Sequence, residues 1–170
     1  GIINRVMMFS LSPVLGVSQG FLPVVGYNIG AKNNKRVIET IKKSVIYGTV
    51  VGTAILIVIL IFKEEIIYIF TTDETLLERT PNALFITFLA TPIITMQLIG
   101  SAYFQAAGKA IPALFLTLLK QGIFLVPLAY FLPKYFGVLG VWWSFPIADV
   151  LSTIITVIVV KKEVDKYLKE

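Results

Sequence analysis

Long uncharged runs dominate the chain, and short clusters of charged residues separate them. Three runs contain no charged residue at all: 6–31, 44–62 and 80–108. Two further runs contain one each, Lys120 within 111–132 and Asp149 within 135–160. A helix that crosses the hydrocarbon core of a bilayer needs about 20 mostly apolar residues, and each run approaches or exceeds that length.

The pattern therefore predicts an all-α integral membrane protein with a five-helix transmembrane bundle. The predicted helices cover about 2–30, 37–70, 75–107, 112–132 and 137–165. Composition supports this prediction, because 56% of the residues are hydrophobic and only 15% are charged, with a mean hydropathy of +0.85. So few charges, gathered into clusters, cannot form the polar coat of a soluble domain of 170 residues.

Basic residues are distributed unevenly between the loops. The segment 32–43 contains five Lys or Arg and one acid, whereas 63–79 contains two basic and five acidic residues. Because positive loops stay in the cytoplasm, we expect a multi-pass protein of the cell membrane with 32–43 and the C-terminus inside. The basic residues flank apolar runs and form no separate basic face, so nucleic acid is not an expected partner. Gly1 would then lie outside, and the chain looks like a piece of a longer protein.

Proline and glycine are frequent inside the predicted spans. Pro13, Pro23, Pro92, Pro127 and Pro146 lie well inside four of them. A proline removes one backbone hydrogen bond and kinks a helix, so we predict kinked helices that bend or line a cavity. Prolines in a static bundle are the alternative.

Three pairs of glycines have the spacing of close helix contacts: Gly16/Gly20, Gly26/Gly30 and Gly48/Gly52. Such pairs let helix backbones approach one another closely. For all three we expect contact within the chain rather than dimerisation.

Two charged residues are predicted at membrane depth. Asp149 lies about eleven residues into the last span, near the midplane, where an acid normally faces the bundle interior or a wet cavity. It is either a site for a coupling ion or a structural aspartate that is hydrogen-bonded to a neighbouring helix or ion-paired with Lys120. For Lys120 we favour a side chain that snorkels to the interface.

Amide and aromatic side chains supply further candidates. Gln19, Asn28, Gln97 and Gln105 can bond across helices, and most of them are expected to do only that. Tyr27 and Tyr103 are the tyrosines expected to line an aromatic cavity that holds a cation through its π faces. The chain has no histidine, no cysteine and no catalytic motif, so we expect no enzymatic activity, no catalytic residue, no metal and no cofactor.

Two stretches resemble a known family. "GVSQGFLPVVGYNIGAKNNKRV" resembles the second helix of the C-terminal six-helix half of multidrug and toxic compound extrusion (MATE) transporters, which ends in Gly-Ala before a basic loop. The stretch 101–156, from "SAYFQAAGKAIPALF" to "DVLSTIIT", is similar to the fourth to sixth helices of that half. The likeness covers nearly the whole chain.

The resemblance implies a twelve-helix, two-bundle transporter that exports cationic amphipathic compounds in exchange for Na⁺ or H⁺ by alternating access. Residues 1–170 would be helices eight to twelve, a partial C-terminal bundle without the N-terminal bundle. The motif positions that would shape the cavity wall are Gly20, Pro23, Gly26, Tyr27, Asn28, Gly30 and Ala31. Gln19, Tyr103, Gln105 and Asp149 are additional cavity candidates, and Asp149 is the candidate for the coupling ion.

The chain departs from the family in one respect. Some members place an acid in the tenth helix for cation coupling, but 80–108 contains none. Coupling in the whole protein would then rest on the missing half. Two alternatives stay open: a lipid or polysaccharide flippase of the same wider superfamily, and a membrane scaffold that transports nothing.

Overall fold

The structure, a computed structural model, describes residues 1–167. Within that range the chain forms helices joined by short turns, and it contains no β-strand. The elements are α1 (Ile2–Gly30), α2 (Asn34–Phe70), α3 (Glu74–Phe88), α4 (Thr91–Ala106), α5 (Ala110–Leu118), a π-helix (Leu119–Leu125), α6 (Val126–Phe136) and α7 (Val138–Tyr167). Four helical stretches are long and apolar enough to cross a membrane, or five when α3 and α4 count as one bent span. The predicted all-helical membrane bundle is confirmed.

The bundle is apolar on the outside. Large apolar side chains such as Ile57 and Ile61 on α2 and Val126 and Phe131 on α6 are exposed. In water such a surface would drive association, whereas in a bilayer it contacts lipid tails of equal polarity. The exterior is therefore the surface that a bilayer requires.

Helix α4 lies at the centre and packs against α1, α2, α5 and α7. A Cβ atom on Gly52 of α2 would lie 2.8 Å from the carbonyl oxygen of Thr91, and one on Gly48 would overlap the side chain of Thr95. A Cβ on Gly100 of α4 would likewise overlap Thr156 of α7. The expected intrachain contact is thus confirmed for Gly48 and Gly52.

The other glycine pairs behave differently. A Cβ on Gly16, Gly20 or Gly30 would meet no atom within 4 Å, and one on Gly26 would only touch the carbonyl oxygen of Ala106 at 3.9 Å. The expectation of close helix contact within the chain is wrong for Gly16, Gly20 and Gly30. These glycines leave one face of α1 open.

The predicted single helix over 75–107 is divided into two. α3 ends at Phe88, α4 begins at Thr91, and their axes differ by 46°. Pro92 occupies the first turn of α4, where its missing N–H costs no helical hydrogen bond. The proline therefore lies at the start of a new helix and not within a continuous one.

A second irregularity precedes Pro127. Residues Leu119–Leu125 form a π-helix, and the amide of Val126 bonds to the carbonyl of Gln121 five residues earlier. Pro127 cannot donate a backbone hydrogen bond, and its ring would collide with the carbonyl four residues before it in a regular α-helix. The wide turn before the proline accommodates this, and π-turns of this kind are frequent at functional sites.

Helices α1 and α7 continue through their internal prolines, Pro13 and Pro23 in α1 and Pro146 in α7. Phe62 in α2 has non-helical angles, φ −111° and ψ 20°, although the span around it contains no proline. Irregular backbone geometry thus occurs beside Pro92 and Pro127, and also at Phe62, where no proline is nearby.

Gly52→Ala is expected to destabilise the bundle. Its new methyl group would press on the backbone of Thr91, which cannot move aside, so we expect a loss of about 1–3 kcal/mol from overpacking. The measurement is the apparent melting temperature of the purified protein in detergent. Gly16→Ala is the matched control, because its methyl group meets open space and should leave the melting temperature unchanged or slightly higher. Equal shifts in both variants would contradict the packing argument.

Candidate functional site

A cavity of about 300 Å³ opens between α1, α4, α5 and the π-helix. Its polar lining consists of amides, hydroxyls and one ammonium group: Gln19, Gln97, Gln105, Gln121, Ser18, Ser101, Thr117 and Lys120. The apolar remainder comes from side chains such as Leu15, Leu22 and Ile94. The cavity is therefore an amphipathic site inside an otherwise apolar membrane bundle.

A hydrogen-bonded network holds the wall between α4 and α5. The hydroxyl groups of Ser101 and Thr117 are 2.8 Å apart, and Thr117 Oγ1 also donates to the carbonyl of Ala113 at 2.9 Å. Gln105 Nε2 donates to Ser101 Oγ at 3.4 Å. The bond to Ser101 holds Gln105 at the cavity wall. The sequence pattern singles out neither Ser101 nor Thr117.

The only charged side chain in the described lining, Lys120, is ion-paired. Its Nζ lies 2.5 Å from Oδ1 of Asp149 on α7. The Asp149 residue is 2% exposed, while the lysine side chain retains 19% exposure on the cavity side. The interpretation of Lys120 as a snorkelling residue is therefore wrong, and the alternative of an ion pair with Asp149 is the one observed.

Asp149 belongs to a polar side of α7 that faces the bundle interior. Ser144, Ser152 and Thr156 are fully buried on this helix, and their hydroxyl groups donate to backbone carbonyls one turn earlier. Thr153 Oγ1 donates across to the carbonyl of Ile93 on α4. The bond from Thr153 to α4 and the burial of these residues show that this side of α7, which carries Asp149, packs against the rest of the bundle.

One face of α1 packs against no other helix among residues 1–167. Exposed residues recur every three or four positions along α1 and form one stripe, in which apolar Met8 is followed by Ser12, Gly16, Gln19, Gly20, Pro23, Tyr27 and Gly30. Tyr27 is 78% exposed. The buried positions, among them Val14, Phe21 and Val25, lie on the opposite side. Gln19 belongs to both the stripe and the cavity, so the two surfaces are continuous.

Three predicted motif residues lie near the end of α1. Asn28 is buried, and its Nδ2 donates to the carbonyl of Val24 at 2.7 Å. Gly26 lies beside α4, and Ala31 is exposed at the C-cap of α1. Asn28 lines a separate polar pocket with Arg36 and Thr40, so these positions are not brought to the cavity between α1 and α4.

Tyr103 takes no part in the cavity lining. It is fully buried in the core, where its ring packs edge-on against Phe104 at a centroid distance of 5.1 Å. Of the predicted site residues, Gln19 and Gln105 line the cavity, and Asp149 reaches it through Lys120. Gly20, Pro23, Tyr27 and Gly30 lie on the adjoining open stripe.

The MatE family model matches residues 1–131 of this chain. Two relatives are multidrug export proteins named MepA. The one from Staphylococcus haemolyticus (strain JCSC1435) is 26% identical over 94% of this chain, and the one from Staphylococcus aureus (strain N315) is also 26% identical over 94%. The chain spans about a third of their length, 35% in both cases.

Solved structures of similar fold include the MATE multidrug transporter DinF-BH, determined as a complex. It is 40% identical, has a TM-score of 0.87, and is matched over 95% of this chain and 36% of its own. An outward-facing MATE family transporter is 21% identical with a TM-score of 0.94, covering 99% of this chain and 38% of that one. An inward-facing structure is 22% identical with a TM-score of 0.92, covering 98% and 39%.

Lys120→Met is expected to destabilise the fold strongly. The carboxylate of Asp149 would lose its counter-ion at a buried position, which typically costs about 3–5 kcal/mol. The double variant Lys120→Met/Asp149→Leu removes both charges and should recover most of the lost stability. Thermal unfolding in detergent measures both effects.

Lys43→Met is the control for this comparison, because it breaks an exposed pair with Glu39 and should change nothing measurable. A double variant that is no more stable than Lys120→Met would contradict the expected dependence of Asp149 on its counter-ion.

Proposed function

This chain belongs to the MatE family of multi-pass membrane proteins, and from that premise we propose that it forms part of a secondary active multidrug efflux antiporter. The whole protein would export cationic amphipathic compounds in exchange for Na⁺ or H⁺ by alternating access. The relatives in the comparison are multidrug export proteins, which supports transport as the activity rather than catalysis. The observation within this chain that carries the proposal is an amphipathic cavity in a membrane bundle, continuous with an open stripe on α1.

The stripe on α1 is rich in small and polar residues, and apolar side chains such as Leu15 and Val24 are exposed beside it. Its three glycines leave room beside the helix, since a Cβ on Gly16, Gly20 or Gly30 would meet no atom within 4 Å. Gln19 adds an amide that hydrocarbon could not satisfy. We infer that this face borders the path of the cargo, opposite a second bundle of a twelve-helix protein in which residues 1–170 supply helices eight to twelve.

Each site residue has a proposed role. The amides of Gln19 and Gln105 offer hydrogen bonds to polar groups of the cargo, and the exposed ring of Tyr27 offers a π face to a cation. Gly20, Pro23 and Gly30 shape the wall along the open stripe of α1, whereas Gly26, Asn28 and Ala31 lie away from the cavity. Asp149 is the acid through which a coupling ion would act.

Alternating access would occur by movement of whole bundles. The same fold matches an inward-facing and an outward-facing transporter with TM-scores of 0.92 and 0.94. A bundle that keeps its fold in both states favours rocking of one bundle against the other around the cavity. A coupling ion drives this cycle only if it binds the two states with different affinity.

Export of ethidium by the full-length protein tests the proposed function. Gly20→Leu should lower the initial rate of ethidium export from proteoliposomes by about tenfold. The reason is that the new side chain would occupy open space beside α1, narrow the path and weaken the binding of the cargo. The melting temperature should not change, since open space surrounds Gly20.

Ala54→Leu adds a similar volume to an exposed position of α2 and should export ethidium at the wild-type rate. Movement of lipid-linked sugars without export of ethidium would assign the protein to the flippases, and no transport of either kind would favour a scaffold.

The proposed orientation in the cell membrane can be tested by labelling introduced cysteines, because this chain contains none of its own. A single cysteine at Lys42→Cys should react with a membrane-impermeant maleimide only after the cytoplasmic side is exposed, because the positive-inside rule places 32–43 inside. A cysteine at Glu74→Cys should react from outside in intact cells. The reverse labelling pattern would place the C-terminus outside the cytoplasm.

A further inference from the structure

The charge of the cavity depends on one ion pair. Among the described lining residues, Lys120 is the single charged side chain, and the others that are polar are neutral amides and hydroxyls. Asp149 lies behind the wall, 2% exposed, and neutralises Lys120 across 2.5 Å. The cavity wall is thus net neutral while both groups are ionised, and it carries one positive charge when Asp149 binds a proton.

We propose that the Lys120–Asp149 pair couples proton binding to the release of cationic cargo by switching the charge of this cavity. Protonation of the Asp149 carboxylate forms one O–H bond with a proton from solvent and leaves the Lys120 ammonium without a counter-ion at the wall. The uncompensated ammonium repels an organic cation in the cavity. This inference rests on the proposed export of cations, and it adds the role of Lys120 and the identity of the coupling ion.

The ion that fits this site is H⁺. The ammonium of Lys120 already occupies the cation position on Oδ1 of Asp149. A Na⁺ ion would have to displace it and leave two cations around one buried carboxylate. A proton binds the carboxylate covalently and needs no coordination shell, so it can act while Lys120 remains in place.

Other titratable groups lie elsewhere on the elements packed around the pair. Neither α5 nor the π-helix carries another one, and α4 carries only Tyr103, which is buried in the core. On α7 the nearest is Lys161, twelve residues or about 18 Å along the helix from Asp149. The remaining groups are Arg5 and Tyr27 on α1, Glu74, Glu78 and Arg79 on α3, Tyr130, Lys134 and Tyr135 on α6, and Lys162, Glu163, Asp165 and Lys166 on α7.

The expected size of the effect follows from Coulomb's law. Two unit charges about 7–10 Å apart at an effective dielectric constant of about 20 repel each other enough to weaken cation binding by about 10- to 100-fold. Linkage makes the effect reciprocal, so binding of the cation must expel the proton to the same extent. Mutual exclusion of cargo and proton is the thermodynamic requirement of an antiporter, and here it does not require both to share one carboxylate.

The test measures ethidium binding to the full-length protein by fluorescence across a pH titration. Wild-type affinity should fall by about 10- to 100-fold as the pH is lowered. Asp149→Asn mimics the protonated acid and should bind weakly at every pH. The double variant Lys120→Gln/Asp149→Asn removes both charges, so it should bind about as tightly as wild type at alkaline pH and show no pH dependence.

Lys134→Gln is the matched control, because Lys134 lies over the ring of Tyr130 at 3.9 Å and not in the cavity lining. It should keep the wild-type pH dependence. Equal affinities of Asp149→Asn and the double variant would overturn the inference, as would a double variant with the wild-type pH dependence. If Asp149→Asn does not fold, the double variant is compared with wild type. Loss of the pH dependence supports the inference, and a pH dependence like that of wild type contradicts it.

The binding titration and the proteoliposome export assay together separate this inference from the proposed function. A wild-type protein that exports ethidium, but binds it equally well at every pH, contradicts only the charge switch. A wild-type protein that neither binds nor exports ethidium contradicts both.

Discussion

Hydrocarbon offers no water to a backbone amide, so each span must satisfy its own N–H and C=O groups within the helix. This constraint explains why weak helix formers such as the glycines and prolines of α1 still form a helix of 29 residues. The lipid surroundings also allow apolar groups such as Ile61 and Phe131 to lie outside, while the hydroxyl groups of α7 lie inside beside a largely apolar core. Packing, polarity and the position of the cavity all follow from it.

The bundle relaxes the constraint at defined places. The break between α3 and α4 precedes Pro92, and the π-helix precedes Pro127. Both irregularities adjoin helices that form the cavity, and the π-helix carries Lys120 and Gln121 of its lining. Irregular backbone in a membrane protein is tolerated where protein or a cavity surrounds it. These two irregularities adjoin the cavity, whereas the one at Phe62 of α2 does not.

The cavity combines neutral hydrogen-bonding groups with a compensated charge. Lys120 and Asp149 come from different helices, and each is costly to bury without the other. Under the proposed charge switch, this wall would bind a cation while Asp149 is ionised and reject it when Asp149 is protonated. The net charge of the cavity wall thus depends on the ion pair between the π-helix and α7, and neither element determines it alone.

The sequence by itself determined the all-helical membrane bundle, the order of its spans and the location of Lys120 and Asp149 within two of them, because hydropathy over about 20 residues reports directly on burial in lipid. The resemblance of 16–37 and 101–156 to one family, confirmed for the chain by the MatE match over residues 1–131, was also visible in the sequence. Only the tertiary structure decided which polar residues meet. It paired Lys120 with Asp149, left Gly20 open while burying Gly52, and placed Tyr103 in the core. Helix rotation and crossing determine such contacts, and they arise from packing between segments that local periodicity does not encode.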